Sequence, residues 1–151
     1  MKLAEALQER ADLNKKLASL TTRLTSNCLV QEGDTPAEDP EMLLRELDET
    51  TAQLTELMGQ INRTNCATEL DGRTVTEVIA EKDGLKAKLA VYQQVIYEAS
   101  QTARRATRTE IRVLSAVDVA GLQKQADDMA KRIRLLDNAL QASNWTTELM
   151  E

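Results

Sequence analysis

Histidine and phenylalanine are both missing from the 151 residues. Without histidine the chain lacks the side chain that titrates near neutral pH and most often binds metals. Histidine-based triads and the Glu-x-x-His di-iron site of four-helix bundles are therefore excluded. Aromatic residues make up only 2 % of the chain. A thick globular interior normally draws on large rings, so this core has to be built from Leu, Ile, Val, Ala and Met. That palette suits narrow helical seams.

Two cysteines, Cys28 and Cys66, are too few for a disulfide framework. They fall near the ends of the first two helices read below. In an antiparallel hairpin those ends stand about 35 Å apart at about 1.5 Å per residue, well beyond the reach of a disulfide. Both are expected as reduced thiols, with no histidine to activate either as a nucleophile. No uninterrupted run of about 18 apolar residues occurs, so no membrane span is expected. The charged start Met1-Lys2-Leu3-Ala4-Glu5 shows no secretory signal, and a cytoplasmic location is the simplest expectation. The net charge of −6 argues against a nucleic-acid footprint spread over the surface. No Gly-rich phosphate loop, Cys-x-x-Cys motif or nucleophile elbow is present. No catalytic residue, metal or cofactor is therefore expected.

What the chain does have is apolar residues at alternating steps of three and four. The first seam runs Leu3, Ala6, Arg10, Leu13, Leu17, Leu20, Leu24. The second runs Leu43, Leu47, Thr50, Leu54, Leu57, Ile61. The third, Val75, Val78, Lys82, Leu85, Leu89, Tyr92, Ile96, Ala99, Ala103, is the longest and carries Gly84 inside it. The fourth runs Leu122, Ala126, Met129, Ile133, Leu136, Leu140, Ser143.

Between the seams lie recognisable punctuation marks. Residues 31–40 hold Gly33, Pro36 and several acids, and read as a loop that ends in the helix start Asp39-Pro40-Glu41. Asp71-Gly72 signals a tight hairpin turn. Thr74-Val75-Thr76-Glu77 matches a capping box, and Asp118 is a helix N-cap. Ile111, Val113, Ser115, Val117 and Val119 alternate at period two, predicting a short β-like segment near 111–117. These signals predict an all-α single domain over 1–151: four helices in long antiparallel hairpins, coiled-coil-like or a four-helix bundle.

Several stretches, Val30-Gln31-Glu32-Gly33-Asp34, Ile61-Asn62-Arg63-Thr64-Asn65, Asp71-Gly72-Arg73-Thr74, Val117-Asp118-Val119, Leu122 to Asp128 and Asn144-Trp145-Thr146-Thr147-Glu148-Leu149, resemble a bacterial family labelled septicolysin. The resemblance extends from the first loop to the tail. It implies a membrane-active cytolysin and offers no catalytic residues to carry over.

An up-down-up-down topology would gather Asn62, Arg63, Asn65, Asp71, Arg73, Asn144 and Trp145 at one end. Two readings are open: a pocket or docking surface anchored by Trp145, or capping of free helix ends. The other end would collect Glu32, Asp34, Glu38, Asp39 and Glu41 with Arg104, Arg105, Arg108 and Arg112, oppositely charged and suited to mutual pairing. An unpaired β-like run at 111–117 is a liability in a lone bundle, so it is expected to pair with a second subunit. The expectation is a non-enzymatic structural or interaction protein forming a homo-oligomer. A cytolysin, or a binder of a small polar ligand at the Asn62–Trp145 end, stands as the alternative.

Overall fold

The structure, a computed structural model, describes residues 1–102 and 111–151. It contains four helices: α1 (Leu3–Asn27), α2 (Pro40–Ala67), α3 (Val75–Ala99) and α4 (Val119–Thr146). Two short strands, β1 (Glu69–Leu70) and β2 (Arg73–Thr74), form a small antiparallel sheet between α2 and α3. The contacts divide the chain into two compact units. Unit 1 comprises Met1–Glu69 and Ser143–Glu151, and unit 2 comprises Leu70–Ala142.

In unit 1, α1 and α2 pack as an antiparallel pair along the two seams. Leu3, Ala6 and Leu13 meet Leu57 and Ile61, with Leu7, Leu54 and Leu149 packed around them. The turn between the helices is pinned by polar groups. Buried Asn27 donates through Nδ2 to the carbonyl of Arg23 (2.8 Å) and accepts from the Glu38 amide (3.0 Å). Arg23 Nη2 reaches Glu38 at 2.6 Å and its Nη1 reaches Glu46 at 3.5 Å. Asp39 accepts the Glu41 amide at 3.0 Å, with Pro40 opening the helix, as an N-cap should.

The last residues of the chain close the open end of this pair. The Leu3 amide donates to the Thr147 carbonyl (2.9 Å), and the Leu149 amide donates to the Met1 carbonyl (2.8 Å). These two bonds make an antiparallel bridge between Lys2 and Glu148. The Met150 amide donates to the hydroxyl of Thr64 (2.9 Å). The side chain of Glu148 also pairs with Lys2 and with the N-terminal amine.

In unit 2, α3 and α4 also run antiparallel. Val75 and Val78 pack on Leu136 and Leu140, with Leu70, Ile79 and Leu85 alongside. Seam position Lys82 is half-buried and pairs with Asp137 at 3.0 Å. Further along, the Tyr92 hydroxyl donates to Gln125 (3.1 Å). Asp118 caps α4 by accepting the Gly121 amide at 3.1 Å.

Among the described residues, the strand expected near 111–117 reduces to a single bridge position at Arg112. Period-two alternation makes a strand only when another extended run supplies a ladder. Residues 111–118 are all exposed, and the only two-stranded sheet among the described residues is at 69–74. Of the acidic loop, Glu38 pairs with Arg23. Arg104, Arg105, Arg108 and Ala103 lie outside the described residues.

Two buried threonines on α2 have opposite fates. Thr64 Oγ1 donates to the Gln60 carbonyl (2.8 Å) while accepting from Met150. Thr50, equally buried, has no partner for its hydroxyl. An unsatisfied buried hydroxyl costs about 1–3 kcal/mol. Thr50→Val is therefore expected to raise unfolding free energy by about 1 kcal/mol. Thr64→Val strands the Met150 amide and should lower it by about 1–2 kcal/mol. Urea denaturation of both variants checks the pair of signs.

Candidate functional site

Unit 2 holds two features that stand apart from plain seam packing. The first starts from the hairpin. Asp71 and Gly72 both adopt positive φ (53° and 78°), the paired left-handed geometry of a two-residue turn whose twist matches the strands. Asp at the first position tolerates this and Gly accepts it freely. The turn delivers Thr74 to the head of α3, where its hydroxyl accepts the Glu77 amide (3.2 Å) while Glu77 accepts the Thr74 amide (2.7 Å). Arg73 is thereby aimed along α3 and pairs with Glu81 at 2.7 Å. Arg132, from α4, grips the same carboxylate through Nε (3.0 Å) and Nη2 (2.9 Å).

Beside this cluster is a cavity of about 440 Å³ lined by Leu70, Asp71, Arg73, Val78, Arg132 and Leu136. Both guanidiniums grip the one Glu81 carboxylate, and exposed Asp71 lies on the cavity wall. Hydrogen bonds from Arg73, then Arg132, hold the Glu81 carboxyl below its ordinary range. Such a carboxylate is a poor proton acceptor at neutral pH. The arrangement fits a polar lock joining hairpin, α3 and α4.

The second feature is an apolar groove of about 510 Å³. Val95 and Ala99 of α3 form one wall, and Val113, Leu114, Ala116 and Val117 form the other. Leu114 is 77 % exposed and Val117 42 %. The run expected to be a strand is therefore an apolar rim beside α3.

The residues singled out in the sequence are placed as follows. Asn62 and Arg63 are exposed and Asn65 is half-buried, all in the last turns of α2 in unit 1. The Arg63 guanidinium lies back over Gly59. Asn144 is buried near the end of α4, while the neighbouring Trp145 is 54 % exposed, also in unit 1. Asp71 and Arg73 belong to unit 2 and share the cavity just described. Glu81 and Arg132, which complete that cluster, were not foreseen. Cys28 and Cys66 are exposed and form no disulfide. Among the described residues, no group of three or more Cys, Asp or Glu side chains is placed to hold a metal ion, and no helix is long and apolar enough to cross a membrane.

Seams, hairpins and caps define a mostly helical protein built from two antiparallel helix pairs. The chain belongs to a family of unknown function (DUF6847), matched over residues 10–149. A crystal structure of a functionally unknown conserved protein from Corynebacterium diphtheriae shares 38 % identity, with a TM-score of 0.93 over 99 % of each chain. No curated protein matches. These findings overturn the resemblance to septicolysin, since neither the family nor the structural relative has any link to it. The stretches that suggested it are mostly turns and helix ends, such as Gly33-Asp34, Asp71-Gly72 and Asp118, whose residue types are dictated by backbone geometry.

The carboxylates of Glu38, Glu77, Glu81 and Glu148 are all shifted downward, by Arg23, by the Thr74 amide, by Arg73 with Arg132, and by Lys2 respectively. A carboxyl whose folded pKa is depressed stabilises the fold fully above its unfolded value near 4.3. That contribution is lost as pH falls through the lower folded value. The thermal midpoint should therefore hold between about pH 7 and 5 and drop below about pH 4.3. Glu81→Gln should make the drop shallower, which circular-dichroism melts across pH will show.

Proposed function

We propose that this protein is a cytoplasmic, non-enzymatic interaction protein that works as a homo-oligomer. One observation carries the reading: unit 2 presents a string of exposed apolar side chains. Val91 (60 % exposed) and Val95 stand one turn apart on α3, and Val113, Leu114 and Val117 form the opposite wall of the groove that Val95 lines. Single exposed apolar residues are ordinary, but a contiguous set marks an association surface. The absence of histidine, and a Glu81 carboxylate already engaged by Arg73 and Arg132, support a non-enzymatic role. Two exposed cysteines outside any disulfide fit a reducing compartment.

Sedimentation velocity from 1 to 100 µM, as an order-of-magnitude range around typical reversible association, tests this. The expected result is a concentration-dependent species at twice the 16.8 kDa chain mass or above. A single 16.8 kDa species throughout that range would remove the proposal.

A further inference from the structure

The cluster around Glu81 holds one cation more than a lock between α3 and α4 needs. Arg132 alone satisfies both oxygens of the Glu81 carboxylate, with Nε donating to Oε1 (3.0 Å) and Nη2 donating to Oε2 (3.3 Å). Arg73 Nη1 reaches the same Oε2 at 2.7 Å. The hairpin is already tied to α3 by chain continuity and by the Thr74 cap, so its own arginine is not required to hold it. Two guanidiniums on one carboxylate also repel each other. The other acid near Arg73, Glu77, is occupied in accepting the Thr74 amide (2.7 Å).

This sharing leaves donors uncommitted. Arg73 Nε and Nη2, and Arg132 Nη1, have no partner among the described residues. Both side chains line the cavity of about 440 Å³, a size within the range of about 300–1,000 Å³ that small-molecule sites occupy. A guanidinium already anchored by Glu81 loses less freedom on meeting an anion than one free in solvent, and its fork matches a carboxylate.

Two further features of the same cavity narrow the ligand. Exposed Asp71 stands on its wall, and its carboxylate makes no hydrogen bond or ion pair among the described residues. An uncommitted carboxylate beside uncommitted guanidiniums suits a ligand carrying both signs of charge. A dianion such as phosphate would meet repulsion from Asp71 and Glu77, whereas a zwitterion adds no net charge. Leu70, Leu135 and Ala139 complete the wall, and Leu135 is 50 % exposed. That aliphatic surface gains by covering with an apolar group.

We infer that this cavity binds a free aliphatic amino acid, with its carboxylate on the uncommitted donors of Arg73 and Arg132, its ammonium on Asp71, and its side chain against Leu70, Leu135 and Ala139. Glu81 is a positioning residue that holds the two guanidiniums. The site lies wholly within unit 2 and goes beyond the self-association proposed above. A chain that stays monomeric leaves it standing.

Titration of the full chain with L-leucine, followed by amide NMR shifts, tests it. Leucine should bind saturably with a dissociation constant on the order of 1 mM or tighter, moving the amides of residues 70–73 and 132–139. Leucine amide lacks the carboxylate, isocaproate lacks the ammonium, and inorganic phosphate lacks both the ammonium and the apolar body. Each should bind about tenfold or more weakly than leucine. Arg73→Gln should weaken leucine binding by about tenfold or more, while the Arg132–Glu81 pair keeps the thermal midpoint near the parent's. Asp71→Asn, which tolerates the same left-handed turn, should weaken leucine by about fivefold or more without weakening isocaproate. Isocaproate or phosphate binding as tightly as leucine would overturn the amino-acid assignment. Leucine binding untouched by both substitutions would overturn the cavity as its site. No movement of these amides at about 20 mM leucine, well above the expected constant, would overturn the whole inference.

Discussion

Everything in this structure follows from the poverty of large side chains. Without phenylalanine and with one tryptophan, no single residue can fill a deep interior. Apolar contact has to be gathered a methyl group at a time along helix pairs, and each pair can bury only a narrow strip. Away from the start of α1, where Leu3, Ala4 and Ala6 are all buried, buried residues recur about once per turn or less: Leu13 and Leu20 on α1, Leu43, Thr50 and Leu57 on α2, Ala126, Met129, Leu136 and Leu140 on α4. Thin cores of this kind leave little margin, which explains why polar locks appear wherever a hairpin must hold its register. Arg23 with Glu38, Lys82 with Asp137, and Arg132 with Glu81 each span two separate elements.

Much of the secondary structure could be read directly from the residues. The seam spacing marked the four helices, and the capping signals at Asp39, Thr74 and Asp118 all appear as hydrogen bonds. Asp71-Gly72 makes the turn its residue types demand. These features are legible because they depend on neighbours within about four residues. Features that depend on pairing across the chain were not legible. Nothing in the vicinity of Arg132 announces that it will meet Glu81, and Glu148 carries no local sign of its bridge to Lys2. The alternation at 111–117 does not by itself make a strand, because a strand is a relation between two segments, whereas a helix satisfies its own backbone.

The candidate surface was legible in a different way. On α3 the exposed residues Ala80, Gly84, Ala87, Val91 and Val95 follow the same three-four spacing as the seam, yet a reading that looks for one stripe per helix stops at the first. What distinguishes the two stripes is burial by α4, which only the fold reveals. The polar residues Asn62, Arg63, Asn65, Asn144 and Trp145 drew attention because their side chains are chemically versatile. In the fold they occupy the ends of α2 and α4, where asparagine and arginine are common neighbours of open backbone groups.

The bridge between Lys2 and Glu148 joins positions separated by almost the entire chain. A hairpin such as α1 with α2 can nucleate from its own short connection, but this closure must wait until both termini meet across everything between them. The entropic cost of so long a loop makes the bridge a late event in folding. In kinetic terms the first helix pair is born incomplete. Its hydrophobic end is covered only when Leu149 packs against it.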